Sequence, residues 1–240
     1  MTTQLFESNT RGKADFGWLK ANFSFSFGNY YNPERQQFGM LRVLNDDTIA
    51  GGTGFGTHPH ANMEIITIPL EGGLKHKDSM GNEGVIRFGE VQVMSAGTGV
   101  EHSEMNASQK DNAKTLQLWI FPDKEAVTPR YEQKSFDIEN QINTFVNIVS
   151  PKDSTDGNAL WVHQKTFCYL GLFDTNTTTI YLVKIPKNGV YLFLIEGEIE
   201  VNNQVLKARD AMEITDFDQF EIKIITKSKI LLVEVPLNQS

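Results

Sequence analysis

Residues that favour β-strands recur in short runs along the chain, and clusters of glycine, asparagine and aspartate separate these runs. Helical periodicity is hard to find. In the first half the runs are Met40–Leu44, His58–Pro69, Val85–Phe88, Val91–Met94 and Thr115–Phe121. Short runs at regular spacing, with turn signals between them, predict a sandwich or a barrel.

A polar segment, residues 122–140, interrupts this pattern and predicts a connection between two domains. The runs that follow it are Ile142–Val149, Thr178–Ile185, Val190–Ile195, Glu198–Val201, Ala211–Ile214, Phe220–Ile225 and Lys229–Val235. The pair Asn202-Asn203 predicts a hairpin turn, because asparagine tolerates a left-handed backbone. The sequence therefore predicts an all-β chain of two tandem antiparallel barrels, jelly-roll-like, with short connecting segments. They span residues 1–135 and 136–240.

The composition narrows the classes of function. The formal net charge is -8, from 22 basic and 30 acidic residues, and no basic run occurs. Proteins that bind nucleic acid or anionic membranes cluster lysine and arginine, so neither is expected as a partner, whereas a protein partner stays open. Cys168 is the single cysteine, which excludes an intramolecular disulfide and indicates a reducing compartment. Because the first twenty residues lack the apolar core of a signal peptide, we expect a cytoplasmic protein.

Two pairs of residues carry candidate chemistry. His58 and His60 form one pair, and His102 and Glu104 form another about forty residues later. Residues two apart in a strand point to the same face, so each pair offers two donors on one face. If both strands face one cavity, three imidazoles and one carboxylate surround a point. That set suits a first-row transition metal with positions left open for a substrate.

The first pair lies in a spaced motif. Five residues separate Gly52 from His58, and three separate His60 from Glu64. This arrangement resembles the first part of the two-part motif of the cupin superfamily, small antiparallel barrels that hold a metal inside.

The second pair resembles the other part of that motif, with two departures. Five residues separate Gly89 from Ser95, which stands where a proline is usual. Four residues rather than two separate Gly97 from His102. The longer insertion is typical of one branch of the superfamily, the pirins.

Four longer segments also resemble pirin sequences: residues 27–31, 38–47, 58–64 and 95–104. The chain is identified as a member of the pirin family, similar in length and layout to bacterial pirins described as quercetinases. The resemblance implies a bicupin in which the barrel of residues 1–135 holds the metal. The barrel of residues 136–240 is expected to be degenerate, because residues 188–198 are mostly aliphatic or aromatic where a second histidine pair would fall.

The resemblance implies four metal ligands: His58, His60, His102 and Glu104. Glu104 is expected to act in catalysis as well. Glu64 is the rival carboxylate, since it shares strand parity with the first histidine pair and the equivalent glutamate is a ligand in many other cupins. We expect it either to contact the ligands without binding the metal or to be a buried polar residue. His76 is expected either to touch a substrate near the cavity mouth or to bond Asp78 at a strand end.

The resemblance also implies an activity and its alternative. The cofactor is one divalent transition metal, with iron(II) expected and manganese, nickel, cobalt, copper or zinc able to occupy the same ligands. The substrates are O2 and a small aromatic molecule, a flavonol such as quercetin. Glu104 takes the proton of the 3-hydroxyl, and the heterocycle opens with release of carbon monoxide. The alternative is a metal- or redox-sensing regulatory protein that acts through protein partners.

Two further features receive structural interpretations. The aromatic residues among positions 23–31 alternate with small polar residues, which predicts packing between strands rather than a platform for a flavonol. His163 has no partner at ligand spacing, so we expect no catalytic role for it.

Overall fold

The computed structural model describes residues 1–154 and 157–238, and these residues form 22 strands and one short 3-10 helix, Ser8–Thr10. Over this part of the chain no helix approaches the length and apolar character of a bilayer span. The strands of the first half are β1 Thr2–Phe6, β2 Gly12–Asp15, β3 Leu19–Phe23, β4 Leu41–Ile49, β5 Gly54–His60, β6 Glu64–Glu71, β7 Gly73–Asp78, β8 Glu83–Arg87, β9 Glu90–Ser95, β10 Val100–Asn106, β11 Ala113–Ile120 and β12 Arg130–Ser135.

The second half continues the all-β pattern. Its strands are β13 Thr144–Pro151, β14 Leu160–Val162, β15 Phe167–Phe173, β16 Thr177–Leu182, β17 Gly189–Glu196, β18 Glu198–Val201, β19 Gln204–Lys207, β20 Ala211–Thr215, β21 Gln219–Ile224 and β22 Ser228–Val235.

Each half contains one seven-stranded and one four-stranded sheet. In the first half the strand orders are β12-β9-β6-β11-β4-β3-β2 and β5-β10-β7-β8. In the second half they are β1-β20-β17-β22-β15-β13-β14 and β16-β21-β18-β19. Each half is a jelly-roll-like pair of sheets, which confirms the predicted all-β architecture of two tandem units. The sheets stay open at their edges, so the predicted jelly-roll-like barrels have the form of sandwiches.

The largest hydrophobic core lies between the two seven-stranded sheets, which pack back to back. Leu116 and Leu118 of β11 meet Leu231 and Val233 of β22 in this core. Side chains alternate between the faces of a strand, so Gln117, between Leu116 and Leu118, faces the interior of the first sandwich instead. The packing between the halves therefore decides which residues can reach the functional site.

The first strand crosses to the second half, where β1 pairs with β20 in antiparallel register. Just after it, Arg11 forms an ion pair with Asp46 at 3.1 Å, and Arg209 from the second half reaches the other carboxylate oxygen at 3.3 Å. The division of the chain between residues 135 and 136 stays a prediction. Residues 2–6 belong to the predicted first unit but lie in the sheet of the second half.

Three local predictions have different outcomes. The run predicted over residues 58–69 is two strands in different sheets, β5 and β6, because Asn62 adopts a φ of 48° between them. The segment predicted as a connection contains β12, which pairs with β9 at the edge of the large sheet. The hairpin is confirmed, since Asn202 and Asn203 have φ values of 49° and 58° between the paired strands β18 and β19.

Candidate metal centre

Three histidines converge where β5 and β10 pair. His58 lies opposite His102 in the register, and His60 follows two residues along β5. Their ring centroids are 4.5 to 5.0 Å apart, and one nitrogen from each ring lies within 4.8 Å of the other two. Among the described residues this is the cluster that could hold a metal ion.

The nitrogen atoms of this cluster fit a bound metal. His102 is 1% exposed, and neither of its ring nitrogens has a hydrogen-bond partner within residues 1–154 and 157–238. The ring of His58 donates from Nδ1 to the carbonyl oxygen of Gly56 at 2.8 Å, so Nε2 of the neutral ring carries the free lone pair. Buried polar atoms rarely stay unpaired, and a metal ion would satisfy these.

The surroundings also keep the rings in the form that binds metal. Burial lowers the pKa of His102 to about 3, and the neighbouring rings of His58 and His60 add to this effect. Burial, followed by the nearby His58, lowers the pKa of His60 to about 4. Both imidazoles are therefore neutral at pH 7. A metal entering the site does not need to displace a proton from them.

Glu104 lies beside the histidine cluster rather than within it. The register between β10 and β5 shifts between His102 and Glu104, but the extra residue lies on β5, and β10 pairs evenly with β7 through both residues. The carboxylate accepts a hydrogen bond from Thr67 Oγ1 at 3.2 Å and another from Gln117 Nε2 at 2.7 Å. Burial raises the pKa of Glu104, although these two hydrogen bonds oppose the effect.

Glu64 points to the opposite side of the large sheet. On β6 it shares parity with Ile66, which packs in the core between the two halves, whereas Thr67 faces the sandwich interior. Ser95 Oγ donates to Glu64 at 2.7 Å. Burial raises the pKa of Glu64 to about 7, while the hydrogen bond from Ser95 and the charge of Arg130 act in the other direction.

The two remaining histidines lie outside the cluster. His76 is fully buried, bonds through Nε2 to Asp78 at 3.1 Å and stacks on Tyr131 at 4.6 Å. The bond to Asp78 is one of the two arrangements expected for it, and a contact with substrate stays a prediction. His163 packs edge-on against Trp161 at 5.0 Å, in the second half.

A cavity of about 680 Å³ opens beside His58 and Glu104. This volume lies within the range of sites for small organic ligands, which are mostly apolar with a few polar groups. The aromatic side chains that line it are Phe16, Trp18, Phe23, Phe27, Tyr30, Phe55 and Trp119.

The packing predicted for the aromatic run at positions 23–31 is present, since the ring of Phe23 lies 5.4 Å from that of Phe27 and 6.4 Å from that of Tyr30, but the prediction missed that the run also reaches the cavity. Phe23, Phe27 and Tyr30 line the cavity. Phe25 instead packs on Tyr191 of the second half, with ring centroids 5.3 Å apart. Strand β3 ends at Phe23, so strict alternation does not continue through the run.

The hydrogen-bond donors to Glu104 were also missed by the sequence interpretation. Thr67 lies between two isoleucines of β6, and Gln117 lies between two leucines of β11. A polar residue inside such a strand is the available signal, because it must find a partner on its own face of the sheet.

Comparisons with known proteins find relatives over most of the chain. The family described as Pirin matches residues 6–120, and the family described as the quercetinase C-terminal cupin domain matches residues 147–235. The chain is 39% identical over 232 residues to the Escherichia coli (strain K12) protein named quercetin 2,3-dioxygenase, covering 97% of this chain and 98% of that one. It is 38% identical over 223 residues to a pirin-like protein of Caulobacter vibrioides, covering 93% and 95%.

A solved structure gives the same fold. The bacterial pirin YhhW from Escherichia coli, crystallised in complex with nickel(II), matches with a TM-score of 0.92 at 38% identity. The match covers 98% of this chain and 99% of that one.

Proposed function

Because this chain belongs to the pirin family, we propose that it is a metal-dependent dioxygenase that opens the heterocycle of flavonols such as quercetin. One observation carries this proposal: the cavity lined by aromatic side chains reaches both His58 of the histidine cluster and Glu104. A flat aromatic substrate in the cavity therefore has a metal site and a carboxylate at the same end.

We propose that His58, His60 and His102 hold the metal and that Glu104 is the fourth ligand. Iron(II) is the ion expected, and nickel(II) is a second candidate because the related bacterial pirin binds it. When bound, the ion supplies the Lewis-acid and redox chemistry that lets an electron-rich enolate react with O2.

The cavity walls orient the substrate. Trp18 lies edge-on to Phe55, and Phe27 lies edge-on to Trp119, each pair with ring centroids 5.2 Å apart. Walls of this kind hold a planar ring system by offset and edge-to-face contacts and exclude water from it. They leave the end near His58 as the polar end of the site.

Glu104 accepts the proton of the substrate hydroxyl in this proposal. Thr67 and Gln117 each donate to one carboxylate oxygen and so fix its plane toward the cavity. Burial raises the pKa of the carboxyl group, which makes the carboxylate a stronger base toward a weakly acidic hydroxyl. The proton stays on Glu104 while the heterocycle opens.

The test is anaerobic reconstitution with Fe(II), Ni(II), Mn(II), Co(II) or Cu(II), followed by mixing with quercetin and oxygen. Loss of the flavonol and release of carbon monoxide are measured. Glu104→Gln is the sharpest variant, because its carbonyl can still accept from Gln117 while its amide donates to the Thr67 hydroxyl. We expect kcat to fall by about 10²–10⁴.

Two further variants complete the test. Glu101→Gln removes an exposed carboxylate from the same strand and should leave kcat unchanged. His102→Ala should abolish metal binding, and unaltered turnover in this variant would refute the proposed metal site. Stoichiometric metal binding without turnover for any of the five metals would instead favour the regulatory alternative.

A further inference from the structure

A row of polar side chains crosses the interior face of the large sheet in the first half. Gln92, Thr67, Gln117 and Asn45 lie opposite one another on the successive strands β9, β6, β11 and β4. Opposite residues in neighbouring strands point to the same face. The two central members donate to Glu104, and the Asn45 end of the row reaches the aromatic cavity.

Asn45 and Asp47 bring unpaired polar atoms to this cavity. They are two residues apart on β4, both line the cavity, and they are only 3% and 4% exposed. The Oδ1 atom of each is buried and has no hydrogen-bond partner among residues 1–154 and 157–238. The amide oxygen of Asn45 needs a hydrogen-bond donor, and the carboxyl oxygen of Asp47 can accept a hydrogen bond or, when protonated, donate one.

Unpaired buried acceptors destabilise a fold, and apolar residues of similar size would avoid this cost. Ligand sites typically keep a few such polar groups in an apolar wall, where they fix the orientation of the ligand. The carboxyl group of Asp47 retains an acceptor oxygen in either protonation state. A hydroxyl group of a bound aromatic molecule is the donor that fits this place.

We propose that Asn45 and Asp47 recognise a hydroxyl group of the substrate other than the one that Glu104 deprotonates. Asn45 lies one strand beyond Gln117, so the second hydroxyl is placed ~5–10 Å from the first, given a strand spacing of about 4.8 Å. The substrate class is then a polyhydroxylated aromatic rather than any planar enol. This inference rests on the proposed function for the identity of the cavity as the substrate site.

The experiment compares two flavonols that share the 3-hydroxyl: quercetin, which carries further hydroxyls, and 3-hydroxyflavone, which carries none. Both are titrated without oxygen into the nickel-loaded protein, and Kd is read from quenching of Trp18 and Trp119, which line the cavity. The native protein should bind quercetin more tightly. Asn45→Leu and Asp47→Leu should each reduce this preference about tenfold, because each removes one hydrogen bond.

Control variants separate recognition from a structural role. Asp47→Asn keeps an acceptor oxygen and should retain most of the preference. The leucine variants should melt no lower than the native protein and should bind 3-hydroxyflavone as before. A variant that loses affinity for both flavonols equally, or that melts much lower, would contradict the assignment.

The outcomes for this inference and for the proposed function can be told apart. Equal binding of the two flavonols by the native protein overturns the inference. Failure of both flavonols to bind overturns it as well. Either result does so even if quercetin is consumed in the presence of oxygen. A preference abolished by the leucine variants supports the inference even if no oxygen is consumed, and in that case only the proposed dioxygenase activity fails.

Discussion

Replacing Glu64 by glutamine should stabilise the protein at alkaline pH and change its stability little under acidic conditions. The pKa of Glu64 rises from its ordinary value of 4.5 to about 7 in the folded chain, chiefly because the side chain is buried between the two halves. Above pH 4.5 the folded state therefore binds more protons than the unfolded state. Stability is lost as the pH rises toward 7.

The magnitude follows from the two pKa values. At 1.36 kcal/mol per pH unit, the difference between 4.5 and about 7 corresponds to about 3 kcal/mol of lost stability above pH 7. At pH 5 most of this penalty is absent, because the folded state is still protonated and the pH lies only half a unit above the unfolded-state pKa of 4.5. Glutamine keeps an oxygen that accepts from Ser95 and carries no charge, so Glu64→Gln should recover about 2–3 kcal/mol at pH 8.5.

The assay is urea unfolding of the native protein and of Glu64→Gln at pH 5 and pH 8.5, followed by tryptophan fluorescence. Ser95→Ala is the matched control of opposite sign, since the hydroxyl of Ser95 favours the charged carboxylate and its loss should cost more at pH 8.5 than at pH 5. Equal effects of Glu64→Gln at both pH values would refute the reasoning. Metal content should stay unchanged in this variant, and its loss would show that Glu64 is a ligand.

Three other changes test separate parts of the structure. In calorimetry, nickel(II) at about 100 times its Kd should raise the melting temperature of the native protein by about 5–10 °C. The melting temperature of His102→Ala should not change. An equal rise in both proteins would argue against the site. Glu234→Ala removes a buried carboxylate that accepts hydrogen bonds from the Tyr181 hydroxyl and three other donors. Urea unfolding should show that the free energy of unfolding falls by about 3–5 kcal/mol. A fall of less than about 1 kcal/mol would contradict this. Gly97→Ala places a Cβ 2.0 Å from the carbonyl oxygen of Val127 at a φ of 47°, so the loop before β10 must shift. Titration calorimetry should then show weaker metal binding. Native affinity would mean that the loop accommodates the Cβ without moving His102.

The histidine cluster could be anticipated from the sequence because its geometry is local. His58 and His60 lie on one strand, where a two-residue step places both on one side, and His102 falls opposite His58 when the strands pair. The all-β architecture was predictable for a similar reason, since short runs with turn residues between them are a local signal. The wide spacing before His102 distinguished the pirin branch.

The remaining parts depend on contacts between distant segments. The sequence placed Glu64 on the same face as His60 by treating residues 58–69 as one continuous strand. The left-handed backbone at Asn62 interrupts that strand, so the two side chains no longer share a face. The aromatic run at 23–31 divides between the cavity and the core because a second sheet packs against one part of it. The partners of Glu104 come from β6 and β11, which no spacing near Glu104 could indicate.

The position of β1 in the sheet of the second half affects the order in which strands can pair during synthesis. Residues 2–6 leave the ribosome well before their pairing partner β20, at residues 211–215. At roughly 5–20 residues per second, this partner follows about 10–40 s later. The first sandwich can therefore assemble around its histidines well before its own leading strand has a sheet to join. Pairing of β1 with β20 then completes one edge of the second sandwich, so this edge can form only after most of the chain has been made.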